Sequence, residues 1–323
     1  MNRGLMRLVF MGTGEIALPS LHWIIGSQNS LGYDLVGVYT QPDKPIGRKQ
    51  VMTPPEVKVV AQEAGVPVFQ PETLRNNESA LAEFGALRPD LTVVMAYGQI
   101  LPRSLIDTPA IACVNLHASL LPRHRGASPI QAAIREGDAE TGITLMHIVP
   151  KLDAGDMILK ETLSIEASDT GGILHDRLAA IGPDLLKRGL PLLFGGEFES
   201  RPQEASAVTY SGKLERTDGH LDWTQSAKTL ERLIRAYDPW PGTFSMIDLG
   251  DGPKKLKIFP QTTPLGISDL PPGSAEGTPE GMSVSCGDQS LLIHGEVQLE
   301  GKKRLSVQDW LRGVQIPSGT ILL

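Results

Sequence analysis

A strand that is apolar on both faces leaves a chain few ways to fold, and Leu91-Thr92-Val93-Val94-Met95-Ala96 is such a strand. A half-exposed strand alternates polar and apolar residues. A near-continuous apolar run means that both faces are covered, as in a parallel sheet layered between helices. The surrounding sequence supplies the alternation such a sheet needs. Arg7 to Gly12 reads as a strand, then a turn and a helix. Leu35 to Tyr39, Val66 to Phe69 and Ala112 to Leu116 read as further strands. Between them, Val57, Val60, Ala61 and Ala64 form a helical stripe that Gly65 ends. Thr53 is expected to cap that helix, with proline in its first turn and Glu56 in a capping box. Helices are predicted around Ser79 to Leu87 and over Pro129 to Glu136. Ile143 to Ile148 and Ile158 to Ile165 are predicted to pair. Ser168-Asp169 is expected to cap a last helix with Leu174, Leu178, Ile181 and Leu185 on one face. Strands alternating with helices give an α/β fold class, with a doubly wound, mostly parallel sheet.

The periodicity stops between Gly195 and Ser206. With 323 residues, two domains are expected: residues 1–194, a linker over 195–206, and residues 207–323. The last stretch has short apolar runs broken by Gly, Pro and Asp: Thr243–Ser245, Lys257–Phe259, Met282–Ser285, Leu291–His294 and Val297–Leu299. That is the pattern of a small β-barrel, with one helix over Ser226 to Tyr237. Pro264 to Pro279, rich in Pro, Gly and Ser, reads as a mobile loop.

Bulk properties exclude several classes. No apolar run reaches the roughly 18 residues of a membrane span. Leu8-Val9-Phe10-Met11 is too short for a signal-peptide core. The two cysteines, far apart, fit a reduced cytoplasm and no disulfide framework. The net charge of −7 gives no compositional hint of nucleic-acid binding. The histidines and cysteines lack metal-site spacing, so no metal is expected. No Walker loop or Gly-x-Ser-x-Gly elbow occurs. Gly12-x-Gly14 lacks the third glycine of a dinucleotide fingerprint and reads as a turn needing small residues.

Cys113 to Gln131, CVNLHASLLPRHRGASPIQ, is where chemistry concentrates. Asn115 and His117 lie two residues apart on a strand and so share a face. Ser119, Arg123, His124, Arg125 and Gly126 follow. Ligands of open α/β sheets bind at the carboxyl ends of strands.

Asn-Leu-His-x-Ser-Leu-Leu-Pro-x-x-Arg-Gly resembles the signature of the folate-dependent formyltransferases, and Leu152-Asp153-Ala154-Gly155 resembles their second motif. The likeness covers nearly the whole chain apart from residues 1–5 and 264–279. The family usually has proline at position 14; Gly14 departs from this, while Glu15 keeps the acidic character of the next position. The resemblance implies a Rossmann-like formyltransferase domain, an OB-like second domain and 10-formyltetrahydrofolate as co-substrate. Formyl transfer needs a neutral amine, stabilisation of an oxyanion, and a proton for the leaving folate nitrogen. Asn115 is expected to donate to the oxyanion. His117 would stabilise it as an imidazolium, and Asp153 would favour that charge and help take the amine proton. The folate is expected between Met95, Ala96, Tyr97 and Gly98 on one side and Ser119, Leu120, Leu121 and Pro122 on the other.

Residues 207–244, with Asp238-Pro239-Trp240-Pro241-Gly242, and Leu299 to Asp309 resemble the second domain of family members that formylate charged initiator tRNA. Pro42 to Arg48 resembles their tRNA-sensing loop. These matches imply methionyl-initiator tRNA as partner, with Arg48, Lys302, Lys303 and Arg304 on phosphates. Residues 205–323 carry 12 Lys and Arg against 14 Asp and Glu, so only clusters could serve. A monomer in the cytoplasm is expected. Taken singly, each feature has a plainer reading: a core histidine at 117, a turn aspartate at 153, and a solvated face for a three-charge run. His124 reads as an ordinary loop residue and His147 as structural. Formylation of an amino-sugar nucleotide, or folate or RNA binding without catalysis, are the alternatives.

Overall fold

The computed structural model describes residues 5–47 and 49–323; Arg48 lies outside them. The chain divides into two compact units. The first comprises Met1–Pro129, Glu140–Ser164 and His175–Ser211, and the second Ile130–Ala139, Ile165–Leu174 and Gly212–Leu323.

The strands of the first unit are β1 (Met6–Gly12), β2 (Tyr33–Tyr39), β3 (Lys44–Ile46), β4 (Val51–Thr53), β5 (Val68–Phe69), β6 (Leu91–Met95), β7 (Ala112–His117), β8 (Arg125–Gly126), β9 (Glu140–His147), β10 (Met157–Ser164) and β11 (Tyr210–Ser211). Its helices include α1 (Leu18–Leu31), α2 (Glu56–Glu63), α3 (Glu78–Ala86) and α4 (Arg103–Ile106). Seven strands form one sheet in the order β10-β9-β7-β6-β1-β2-β5. The five from β5 to β7 are mutually parallel. β9 runs antiparallel to β7, and β10 antiparallel to β9. All five residues of β6 are buried, as a strand covered on both faces requires.

The chain leaves β1 toward β2 and later returns to place β6 on its other side, so the strand order reverses there. The turn after β1 is tight. A Cβ on Gly12 would stand 3.1 Å from the Met95 carbonyl oxygen and 2.8 Å from the Phe10 ring. Gly14 is different: its φ of −68° is one that proline also adopts, so glycine is not required there.

Two capping expectations fail. Thr53 belongs to β4, paired with Lys44, and α2 starts after Pro55 without a side-chain cap. Asp169 accepts from the Glu166 amide, and it is the Thr170 hydroxyl that accepts from Ile173 at the start of α6 (Gly171–Gly195). α5 (Pro129–Glu136) precedes it.

The second unit contains α7 (Ala227–Ala236), β12 (Thr243–Asp248), β13 (Pro253–Ile258), β14 (Thr262–Ile267), β15 (Ala275–Thr278), β16 (Gly281–Ser285), β17 (Gln289–Ile293), β18 (Glu296–Leu299), β19 (Leu305–Ser306) and α8 (Val307–Gly313). The expected β domain takes the form of two four-stranded antiparallel sheets, β12-β13-β18-β19 and β14-β17-β16-β15. The stretch 264–279 is not one long loop: β14 and β15 occupy much of it. β14 is an edge strand, where Pro264 removes no needed donor, and its register shifts between Pro264 and Ile267. No helix among the described residues is long and apolar enough to cross a membrane.

Candidate active site

β7 delivers the site. Asn115 pairs with Val94 of β6 on one side and Met146 of β9 on the other, so the carboxyl end of β7 opens between two strands. The half-buried Asn115 carboxamide makes no hydrogen bond to any described residue, which leaves its N–H groups for a bound molecule. His117 is only 6% exposed. Its Nε2 lies 2.9 Å from the His124 carbonyl oxygen. A carbonyl can only accept, so Nε2 carries a hydrogen and the ring presents Nδ1 to the site. Nδ1 stands 3.8 Å from Asp153 Oδ2. That is too long for a hydrogen bond and close enough for electrostatic attraction.

Asp153 sits in the turn between β9 and β10, with φ of +45°, a left-handed conformation unusual outside glycine. Its Oδ2 accepts from the Gly126 amide at 2.8 Å. The turn presses close to β9: a Cβ on Gly155 would lie 1.9 Å from the His147 carbonyl oxygen. Only glycine fits there, which accounts for the Asp-x-Gly spacing in physical terms. The His147 ring lies 5.6 Å from the Phe198 ring, tilted at 44° to it, and burial lowers its pKa.

The residues expected around the folate divide into two kinds. Met95 and Tyr97 are buried, and burial pushes the Tyr97 phenol up. Their side chains belong to the core, so that segment offers backbone at the rim. Ala96 has φ of +49° and Gly98 of +85°. The Ala96 carbonyl accepts from Gly14, and the Tyr97 carbonyl from Thr13 and Gln41. Ile100, two residues on, is 77% exposed. On the other side Ser119 and Leu121 are buried. The Ser119 hydroxyl donates to the Arg123 carbonyl at 2.6 Å. The Leu121 amide donates to Thr144 Oγ1, and its carbonyl accepts from Lys160. Leu120 and Pro122 are half-buried. Among the described residues no group of His, Cys, Asp and Glu is placed to hold a metal ion.

The cations expected on tRNA also differ from one another. Lys302 and Lys303 are exposed in the turn between β18 and β19. Arg304 is engaged: it pairs with Glu296 and lies over the Phe259 ring at 3.7 Å. Lys254 pairs with Asp251 and holds that carboxyl below its usual range, while Lys255 lies 4.0 Å from the Phe244 ring centroid. The loop resembling the tRNA-sensing insertion is a hairpin of β3 and β4 that turns Ile46, Val51 and Met52 outward, each about 60% exposed. Its base is fixed by Asp43, which bonds Lys58 at 2.9 Å and Gln70 at 2.7 Å. Arg48 lies outside the described residues.

Sequence reasoning missed the residues that hold the site from a distance. Residues 201–206, read as part of the linker, and 207–211, read as the start of the second domain, are stitched into the first unit. Arg201 exchanges two backbone hydrogen bonds with Met157. Gln203 bonds the Asp153 and Gly155 carbonyls and Arg125. Thr209 accepts from the His124 amide, and β11 pairs with β8. None of these carries a local signature; each is a contact across tens of residues.

Comparison with known proteins places this geometry in context. The formyl transferase family model matches residues 6–190, and the model of the formyl transferase C-terminal domain matches residues 213–315. Relatives named methionyl-tRNA formyltransferase include one from Akkermansia muciniphila, 48% identical over 95% of this chain and 96% of its own. One from Marinobacter nauticus is 45% identical over 95% of this chain and 96% of its own. Among solved structures, an N-formyltransferase from Helicobacter canadensis, in complex with folinic acid and dTDP-3-aminofucose, shares the fold with a TM-score of 0.65. It is 18% identical and covers 90% of this chain and 99% of its own. HypX from Aquifex aeolicus, in complex with tetrahydrofolic acid, has a TM-score of 0.61 at 17% identity, covering 98% of this chain and 49% of its own. With both family models matched in order and relatives close to half identical along nearly their whole length, the chain belongs to the formyl transferase family, in its methionyl-tRNA formyltransferase branch.

Proposed function

We propose that the enzyme transfers a formyl group from 10-formyltetrahydrofolate to the free α-amino group of methionyl-initiator tRNA in the cytoplasm, through a tetrahedral intermediate. The observation that carries this reading is the His117 ring, fixed at Nε2 by the His124 carbonyl and turned at Nδ1 toward Asp153. The unpartnered Asn115 carboxamide beside it suits an oxyanion donor, worth about 10²-fold or more in rate where such donors have been removed. His117 supplies the second donor when protonated at Nδ1, and that proton is in place for the departing folate nitrogen. Asp153 keeps one carboxylate oxygen on the Gly126 amide; its other oxygen is left to take the proton of the attacking amine. A folate fits the rim in two respects. Ala96 and Gly98 expose backbone next to β7, and Ile100 offers an apolar wall. The exposed Lys302 and Lys303 support a polyanionic acceptor rather than a free amino acid.

The test offers 10-formyltetrahydrofolate with charged initiator tRNA and, in parallel, with an amino-sugar nucleotide. Formyl label on the methionyl ester of the tRNA is the expected result. Label on the sugar amine alone would transfer the activity to the alternative acceptor. Neutralising Lys302 and Lys303 together is expected to weaken tRNA binding and to flatten the slope of log affinity against log salt by about 1 to 2. An unchanged slope removes the turn from the tRNA surface. Replacing Arg304 is expected to destabilise the second unit, since its guanidinium is already occupied.

A further inference from the structure

We propose that Gln203 is a positioning residue of the transfer site, whose carboxamide fixes where the Asp153 carboxylate stands. The inference rests on the role proposed above for Asp153. Every part of the Gln203 carboxamide is used. Its Nε2 donates to the Asp153 carbonyl and to the Gly155 carbonyl, both at 2.8 Å. Its Oε1 accepts from Arg125 Nε at 2.9 Å. Gly126, next to Arg125, donates its amide to Asp153 Oδ2. Gln203, Arg125, Gly126 and Asp153 close a ring in which the backbone of Asp153 is gripped from one side and its carboxylate from the other.

Asp153 needs such a grip. A non-glycine residue held in a left-handed conformation costs of the order of 1–3 kcal/mol and persists only where its surroundings determine it. Nothing within the turn itself supplies two donors for the carbonyls of Asp153 and Gly155; Gln203 does. Arg125, 5% exposed, is itself a buried cation that needs an acceptor, and the Gln203 oxygen provides one. Gln203 is delivered firmly, because Arg201 is bonded twice to Met157 and Ser211 pairs with Gly126. Only a carboxamide suits this place. Glutamate would turn a negative oxygen onto two carbonyls, and methionine would fill the volume while bonding nothing.

The experiment compares Gln203→Met and Gln203→Glu in the native enzyme and in Asp153→Asn, measuring kcat and KM for formylation of charged initiator tRNA together with Tm. Both substitutions are expected to lower kcat about tenfold or more in the native background, because a misplaced catalytic group costs rate steeply. KM for the tRNA should stay within about threefold, since the lost interaction serves the transition state. In Asp153→Asn the same substitutions should change kcat by less than about twofold, the carboxylate they misplace being absent. If Gln203→Met is too unstable to isolate, Gln203→Glu, which keeps the acceptor for Arg125, decides the matter alone. Equal losses in the two backgrounds overturn the proposal and leave the reading of Asp153 intact. An Asp153→Asn enzyme with native kcat overturns that reading, and this proposal with it.

Discussion

An enzyme with alanine at position 117 is expected to form product about 10²-fold more slowly or worse at saturating substrates, the scale of losing one preorganised oxyanion donor. The size follows from what the ring does. Its Nε2 is committed to the His124 carbonyl, so under the proposed mechanism Nδ1 alone is left to act on the substrate. No other described ring nitrogen or ammonium is shown within reach of Asp153 to replace it. The substitution also removes one donor from the His124 carbonyl, leaving Ser211 Oγ at 3.4 Å, which should lower stability by about 1 kcal/mol. That loss alters the fraction folded and not the rate per folded molecule, so the two effects separate when kcat is corrected for active sites. KM for the tRNA should move little. Asp153→Asn should fall in the same range, and the double variant should be little slower than the worse single one, as with groups that act as a unit. A kcat within a few-fold of native in His117→Ala would end the assignment.

Gly126→Ala is expected to be among the most damaging single methyls in the first unit's site. The added Cβ would stand 2.2 Å from the Ser211 backbone oxygen, and φ at Gly126 is +118°, which alanine rarely adopts. The oxygen cannot step aside, because it accepts from the Ala127 amide at 2.9 Å within the β8–β11 pairing. Either the pairing opens or the Gly126 amide rotates away from Asp153. Backbone strain plus the broken pairing should total roughly 3 kcal/mol or more. For a unit of this size Tm should fall by about 6–12 °C. Turnover should drop along with it, since the amide that holds Asp153 has moved. Gly26→Ala in α1 is the control: nothing lies within 4 Å of its added methyl, and it should be neutral or stabilising by up to about 1 kcal/mol. A Gly126→Ala enzyme as stable as native would mean that β8 and β11 are not fixed as described.

What could be read in advance followed a physical rule. Strands covered on both faces announce themselves as apolar runs, so Leu91–Met95 and Ala112–His117 were legible, as was α5 over Pro129–Glu136. Caps were less legible because several residues compete for the same amide. Thr53 looked like a cap and was taken by the hairpin, while Thr170 does the work expected of Ser168-Asp169. Pro264 to Pro279 looked structureless from composition, but an edge strand tolerates proline. In the site, Asn115 and His117 share a strand face, so local periodicity joins them. Asp153 carried a motif that Gly155 explains sterically. Gln203 had neither advantage. Its partners are far away in sequence, and a glutamine in an aperiodic stretch looks like any other.

The division of the chain into units carries one more consequence. The second unit takes Ile130–Ala139 and Ile165–Leu174 from within the sequence that otherwise builds the first. Ile130, Ala132, Ala133, Ile134 and Leu174 are buried in the finished protein. In chain order both stretches are synthesised before Gly212–Leu323, the segment with which they form the second unit. No single cut releases either half intact, so an exchange of the second unit between related chains would have to transplant three separate pieces of sequence together.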